Sequence, residues 1–244
     1  MAAAIDHNSI QVAEAILGSL DAKCRGNPGL TIRLAEHKSA CRCMMRLIEL
    51  RQKFHGECAL SLKMIIEQLL ANVHSLLGKQ GGRHTLETII EHCPEGRKII
   101  AKALCEDHER AENKFASYVL DSLVLQATDE DMDLCDLASW LIQEPLLESP
   151  AFYAVKALVR RCVCTSESSS SQKRLKSQVQ EQLAQMPMVV IDWFFKRLQD
   201  DDRRKSIWTE DEQIQLESMK ERVYELKNCG KQKATRREAT RKVY

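Results

Sequence analysis

Two stretches carry the reading: Gly82-Arg-His-Thr-Leu-Glu-Thr-Ile-Ile-Glu-His-Cys93 and Lys114-Phe-Ala-Ser-Tyr-Val-Leu-Asp-Ser-Leu123. In each, a small or polar residue (Arg83, Ser117) precedes a flat one (His84, Tyr118). Two largely apolar residues follow, then an acid (Glu87, Asp121), then further apolar residues beginning at Ile89 and Leu123. Apolar side chains at this spacing share one face of a helix. The same helix occurring twice, with His84 and Tyr118 34 residues apart, is the mark of a repeat architecture.

The rest of the chain agrees. Hydrophobic residues make up 44% of the 244 residues and charged residues 29%, a balance that buries a sizeable core. Aromatics are only 5%, and Leu, Ile and Ala supply the apolar content, which favours helix over sheet. Helical spacing predicts helices over 59–77, 84–92, 115–126, 134–143, 151–163, 178–199 and 210–227, and no segment alternates with period two. Breakers separate them: Gly26-Asn27-Pro28-Gly29, Gly78 through Gly82, Pro94-Glu95-Gly96, Pro145 and Pro150. Ser166–Ser171 reads as a mobile loop. From Lys227 onward seven basic residues stand against Glu238, about +6, in a segment expected to be flexible. The expected organisation is a repeat array over 1–205, a C-terminal helix over 206–226 and a basic flexible tail over 227–244.

The two stretches also resemble the second helix of the Pumilio (PUF) repeat. The same frame fits His37 through Ile48 well, Pro150 through Val159 tolerably, and Asn8–Leu17 and Met188–Phe195 marginally. Its stacking position falls at Gln11, Arg42, His84, Tyr118, Tyr153 and Val189, in steps of 31, 42, 34, 35 and 36 residues. The resemblance implies an all-α fold, a right-handed α-solenoid of about six short repeats, against eight in many members of the family. It also implies a partner, single-stranded RNA, whose bases stack between side chains of adjacent repeats. Stacking needs a flat polarizable group; Arg42, His84, Tyr118 and Tyr153 supply one, whereas Gln11 and Val189 do not. Base edges would be read by Cys41 with Met45, Arg83 with Glu87, Ser117 with Asp121, and Phe152 with Lys156. Phosphates would be met by Lys114, Arg160 and Arg161, together with Arg83 and Lys156. The pair that the family associates with guanine, Ser with Glu, appears here as Ser117/Asp121, one methylene shorter, and the other pairs depart further. The departures suit a degenerate reader, similar to the divergent nucleolar pumilio-like proteins. The implied role is ribosomal RNA processing or another form of post-transcriptional regulation, in the nucleus or nucleolus or in the cytoplasm, with other assembly proteins as further implied partners.

Taken singly, each residue has an ordinary alternative: a half-buried tyrosine, a surface histidine, a solvated arginine. The argument lies in four flat groups sharing one frame. A HEAT- or armadillo-like protein-binding scaffold has the same helical composition and suits the net charge of only +1. Met1 is followed by Ala-Ala-Ala-Ile-Asp rather than a signal peptide, and no apolar run approaches membrane-spanning length. The ten cysteines therefore read as reduced, buried small hydrophobes. Cys41-x-Cys43 and Cys162-x-Cys164 lack zinc-site spacing, and residues two apart on a helix point to different sides. No phosphate loop, dinucleotide fingerprint or nucleophile elbow occurs, so no enzyme activity and no cofactor are expected. Asp129–Asp133 reads as acidic charge at a helix start capped by Thr128 or Asp129, and 200–205 as a solvated turn. Thr209 and Glu212 have the spacing of a capping box. With no structural metal expected, a chelator should leave the melting temperature unchanged, and a loss of several degrees would reveal a metal site.

Overall fold

The structure is a computed structural model that describes residues 7–25, 27–106, 113–128, 134–143, 147, 149–164, 170–203 and 208–241. Among the described residues there are thirteen α-helices and no strand. None of these helices is long and apolar enough to cross a membrane. The chain divides into two compact units, Met1–Met132 and Asp133–Tyr244.

The first unit holds α1 (His7–Arg25), α2 (Pro28–Glu36), α3 (Ala40–Glu49), α4 (Gly56–Leu70), α5 (Val73–Leu77), α6 (Gln80–His92), α7 (Pro94–Cys105) and α8 (Lys114–Gln126). Helix α6 lies at its centre, with α3 on one flank and α8 on the other. These are three of the helices the repeat frame nominated. Behind them α2, α5 and α7 close the core, and α4 packs on α1 and α2. In α6, Leu86, Ile89 and Ile90 are wholly buried; each contributes about 1.5–3 kcal/mol by leaving water. Arg97 on α7 is buried as well, and its guanidinium Nε donates to the Ile90 carbonyl at 2.7 Å, covering an otherwise open acceptor at the end of α6. Pro28 and Pro94 open α2 and α7, where a missing N–H is harmless. Asn113 caps α8 by accepting from the Phe115 N–H at 2.8 Å.

The second unit holds α9 (Leu134–Leu141), α10 (Phe152–Cys164), α11 (Ser170–Gln185), α12 (Met188–Arg203) and α13 (Glu210–Arg241). Helix α11 packs against both α9 and α13, and α10 packs against α9, α11 and α13. Phe152, Phe194 and Phe195 are wholly buried and meet in edge-to-face contacts, with Phe152–Phe194 centroids 6.0 Å apart and Phe194–Phe195 centroids 5.4 Å apart. The predicted capping box forms: the Thr209 N–H donates to Glu212 Oε2 at 2.7 Å, and the Glu212 N–H donates to Thr209 Oγ1 at 3.3 Å.

Several expected boundaries move. The helix expected over 59–77 breaks at Ala71-Asn72, where the Asn72 amide donates to the Gln68 carbonyl and α5 starts afresh. The one expected over 178–199 breaks at Met186-Pro187, because Pro187 cannot donate the backbone bond that continuity needs. Helix α12 then continues to Arg203, into the expected turn at 200–205. Helix α13 continues through the expected flexible tail to Arg241. The run is rich in Lys, Arg, Gln and Ala, which outweigh the cost of Gly230, about 1 kcal/mol. The Lys227 ammonium is tied to the carbonyls of Ala184 and Met186. Ser170 and Ser171 belong to α11; the rest of the Ser-rich stretch, the acidic run 129–133 and Pro145 lie outside the described residues.

Gly81 and Gly82 are also corrected. They were expected to interrupt the helix, yet both lie in its first turn. A Cβ on Gly82 would sit 2.2 Å from the Leu76 carbonyl oxygen, and one on Gly81 2.6 Å from that of Glu36. Glycine is required here so that the start of α6 can approach the ends of α2 and α5. Gly82→Ala should therefore destabilise the protein by roughly 1–3 kcal/mol. Gly18→Ala, in α1 with nothing within 4 Å of the new methyl, should stabilise it by roughly 0.5–1 kcal/mol. Urea denaturation of the two variants checks the opposite signs.

Candidate nucleic-acid interface

Three of the four expected stacking residues belong to the first unit, on neighbouring helices. Arg42 on α3 is exposed, His84 on α6 is about one-third exposed, and Tyr118 on α8 is 37% exposed. One contact bridges α6 and α8: the Arg83 guanidinium carbon lies 3.9 Å from the Tyr118 ring centroid. This cation–π contact is worth about 0.5–2 kcal/mol. Glu87 anchors it. One carboxylate oxygen accepts from Arg83 Nε at 2.9 Å, and the other lies 3.1 Å from His84 Nδ1. The i, i+3 and i, i+4 spacings of α6 place all three side chains on one face. The first unit thus presents a guanidinium resting on a phenol ring, with a histidine beside it, held from behind by one carboxylate. Asp121, one turn beyond Ser117, lies close enough to Glu87 to feel its charge.

The expected base-edge residues divide by burial. Arg83, Glu87, Asp121 and Met45 are only partly buried, so they reach the surface. Cys41 is 2% exposed, and its thiol donates to the Lys38 carbonyl. Ser117 is 3% exposed, and its hydroxyl donates to the Lys114 carbonyl at 2.7 Å. Phe152, at 1%, belongs to the aromatic core, and Lys156 is 9% exposed. None of these four presents itself to a base edge: the frame counts residues but does not show which side of the helix a neighbour covers. Among the expected phosphate contacts, Lys114 is exposed. Arg160 is committed elsewhere, 3.6 Å from Glu212 and 5.7 Å from the Trp208 ring, where it ties α10 to the start of α13. Arg161 is half-buried.

In the second unit Tyr153 stands on α10, 52% exposed, its ring edge-on to Phe152 at 6.1 Å. Val189 is highly exposed on α12, and Gln11 is exposed on α1. Helix α1 packs chiefly on α2 and α4, so an apolar groove lined by Val12, Ala13, Ile16, Leu47 and Leu50 is left between α1 and α3. Frame counting did not find Trp193, an exposed ring one turn beyond Val189; a search for aromatics at i+4 from each frame position would have done so. The thiols of Cys41 and Cys43 diverge, one buried and one exposed. Among the described residues no three His, Cys, Asp or Glu side chains converge as metal ligands would.

This chain is similar in structure to a Puf3 RNA binding domain bound to Cox17 RNA 3′ UTR recognition sequence site A, at 17% identity and TM-score 0.52, over 83% of this chain and 56% of that one. It is also similar to the Puf3 domain bound to site B, at 17% identity and TM-score 0.53, over 87% of this chain and 60% of that one. The fold is therefore an all-α, PUF-like array of helical repeats, and the chain spans under two-thirds of the length of these domains. No family model and no curated protein matches the sequence.

Burial pushes the Asp121 carboxyl above its ordinary value, and the Glu87 charge adds to the rise. The ionised form is thus disfavoured in the folded state. Asp121 contributes most to stability below its unfolded pKa of about 3.8, and that contribution is lost as pH rises through the higher folded value. Asp121→Asn should be more stable than the parent at pH 7, and the gap should close as pH falls below about 3.8. Thermal melts across pH measure it.

Proposed function

We propose that this protein binds single-stranded RNA by stacking bases on Arg42, His84 and Tyr118 of the first unit and Tyr153 of the second. The Arg83–Tyr118 stack carries the reading. It holds a flat, polarizable surface between two neighbouring repeat helices, with one ring face supported by a cation and the phenol still 37% exposed. A base stacking on such a ring gains roughly 1–3 kcal/mol whatever its identity. The Puf3 domains that share the fold are bound to RNA. With four of the eight expected base-edge side chains buried, the surface suits tolerant recognition. That is the behaviour wanted of a factor handling RNA during ribosomal RNA processing or wider post-transcriptional regulation, in the nucleolus or nucleus or in the cytoplasm.

A second reading, a protein-binding scaffold, is favoured by the apolar groove between α1 and α3, where Val12 is 59% and Ile16 41% exposed. The two readings use different surfaces. Tyr118→Ala and Tyr153→Ala should each weaken binding of a labelled single-stranded RNA about 5- to 150-fold, with duplex RNA of the same sequence bound poorly by all forms. Fluorescence anisotropy measures the affinity, and circular dichroism melts confirm that the variants fold. Unaltered RNA binding by both folded variants would make the tyrosines structural. Absence of RNA binding by the parent protein would leave the scaffold reading.

A further inference from the structure

The repeat frame nominates Val189 for the last stacking position, and valine has no flat face to offer. One turn further along α12, on the same side of the helix, stands Trp193, 37% exposed. The other two tryptophans, Trp140 and Trp208, are buried at 9% and 5%. An indole that gives up this much burial forgoes hydrophobic stabilisation, so its surroundings matter.

They fix the ring in place. The Trp193 ring meets Phe152 edge-on, with centroids 6.4 Å apart and planes at 62°. Phe152 is wholly buried and also carries Tyr153 at 6.1 Å, so one core ring supports two exposed ones. Arg197, on the next turn of α12, lies 5.1 Å from the Trp193 centroid and 3.9 Å from that of Phe152. Arg197 is itself anchored, donating to the Leu147 carbonyl at 2.8 Å. Lys196 beside it is exposed. Asp192, the nearest acid in sequence, accepts a hydrogen bond from the Tyr224 hydroxyl of α13 and is drawn toward that helix. The result is a pre-positioned indole that shares its supporting ring, Phe152, with a second exposed ring, Tyr153, and has two cations within one turn. This is the chemistry that a nucleobase and its phosphate require.

We propose that Trp193, in place of Val189, is the base-stacking side chain of the last repeat and takes an unpaired base of single-stranded RNA. The inference rests on the RNA-binding reading above and adds a site that the repeat frame does not assign. A protein side chain seated on the same rings is the competing occupant, and the test separates the two.

Trp193 is the exposed tryptophan, so intrinsic fluorescence reports on it directly. The full chain is titrated with a single-stranded oligonucleotide of about ten nucleotides, within the range of known single-strand site sizes. Free tryptophan serves as the absorption control, and binding is followed in parallel by anisotropy of the labelled oligonucleotide. Tryptophan emission should be quenched along the binding curve, and the quenching should vanish in Trp193→Phe, which keeps a ring in the same packing. Trp193→Ala should weaken binding about 5- to 150-fold, while Val189→Ala should leave it unchanged. Binding seen by anisotropy with unquenched emission and an unaffected Trp193→Ala variant would overturn the assignment of Trp193 and leave RNA binding standing. No binding of any single-stranded oligonucleotide by the parent would overturn both.

Discussion

Base stacking demands that a flat group be held still on a solvent-facing surface, and on the proposed reading that demand falls, in the first unit, on α6. Its outward face carries Arg83, His84 and Glu87, while its inward face buries Leu86, Ile89 and Ile90 completely. Both faces depend on how closely the start of α6 approaches its neighbours. The carbonyl ends of α2 and α5 lie where a Cβ on Gly81 or Gly82 would have to go. Without that approach the helix would ride higher on the core. Arg83 would then lose its 3.9 Å seat over Tyr118, because α6 and α8 are joined through the same packing. Two residues that look like loop punctuation are thus a condition for the proposed interface.

Helical geometry explains why the expected base-edge set divided. Positions four apart share a helix face only approximately, since 3.6 residues make a turn. Whether both members of a pair emerge then depends on how far the neighbouring helix extends over that face. On α6 both Arg83 and Glu87 reach the surface. On α8 Asp121 is accessible and Ser117 is covered, and on α10 both Phe152 and Lys156 are buried. What Phe152 loses as a reader it gains as a support, since Tyr153 and Trp193 both lean on it.

The legibility of the chain follows the range of the interactions involved. Helix periodicity, the Thr209–Glu212 capping box and the run of repeat helices are local, and they were readable from residues a few positions apart. The frame also found Arg42, His84, Tyr118 and Tyr153 at accessible positions, because a recurring residue at a fixed step survives without knowledge of tertiary contacts. Contacts across the fold were not readable. No local pattern shows that Gly82 faces a carbonyl of α5, that Arg160 answers Glu212 about fifty residues later, or that Pro187 divides one apolar run into two helices. Trp193 lies between these cases. Its spacing from Val189 was visible, but its value as a stacker comes from Phe152 and Arg197, brought to it by the fold.

The balance of charge bears on how such a surface would hold a polyanion. The chain carries a net charge of only +1, and two of the five cations nominated for phosphate are already engaged: Arg83 by Glu87, and Arg160 by Glu212. Using such a cation for a phosphate would first require breaking its existing pair, which offsets much of the gain. Exposed Lys114 and Lys196 remain close to the rings. Each phosphate contact to a single strand contributes about −0.7 to the log–log dependence of affinity on salt, so a site with few of them depends only weakly on salt. Affinity must then come mainly from stacking, whose roughly 1–3 kcal/mol per base is insensitive to ionic strength and to base identity. On the proposed RNA-binding reading, the paired cations and the buried base-edge residues therefore point the same way, toward recognition of unpaired bases by their flat faces more than by charge or sequence.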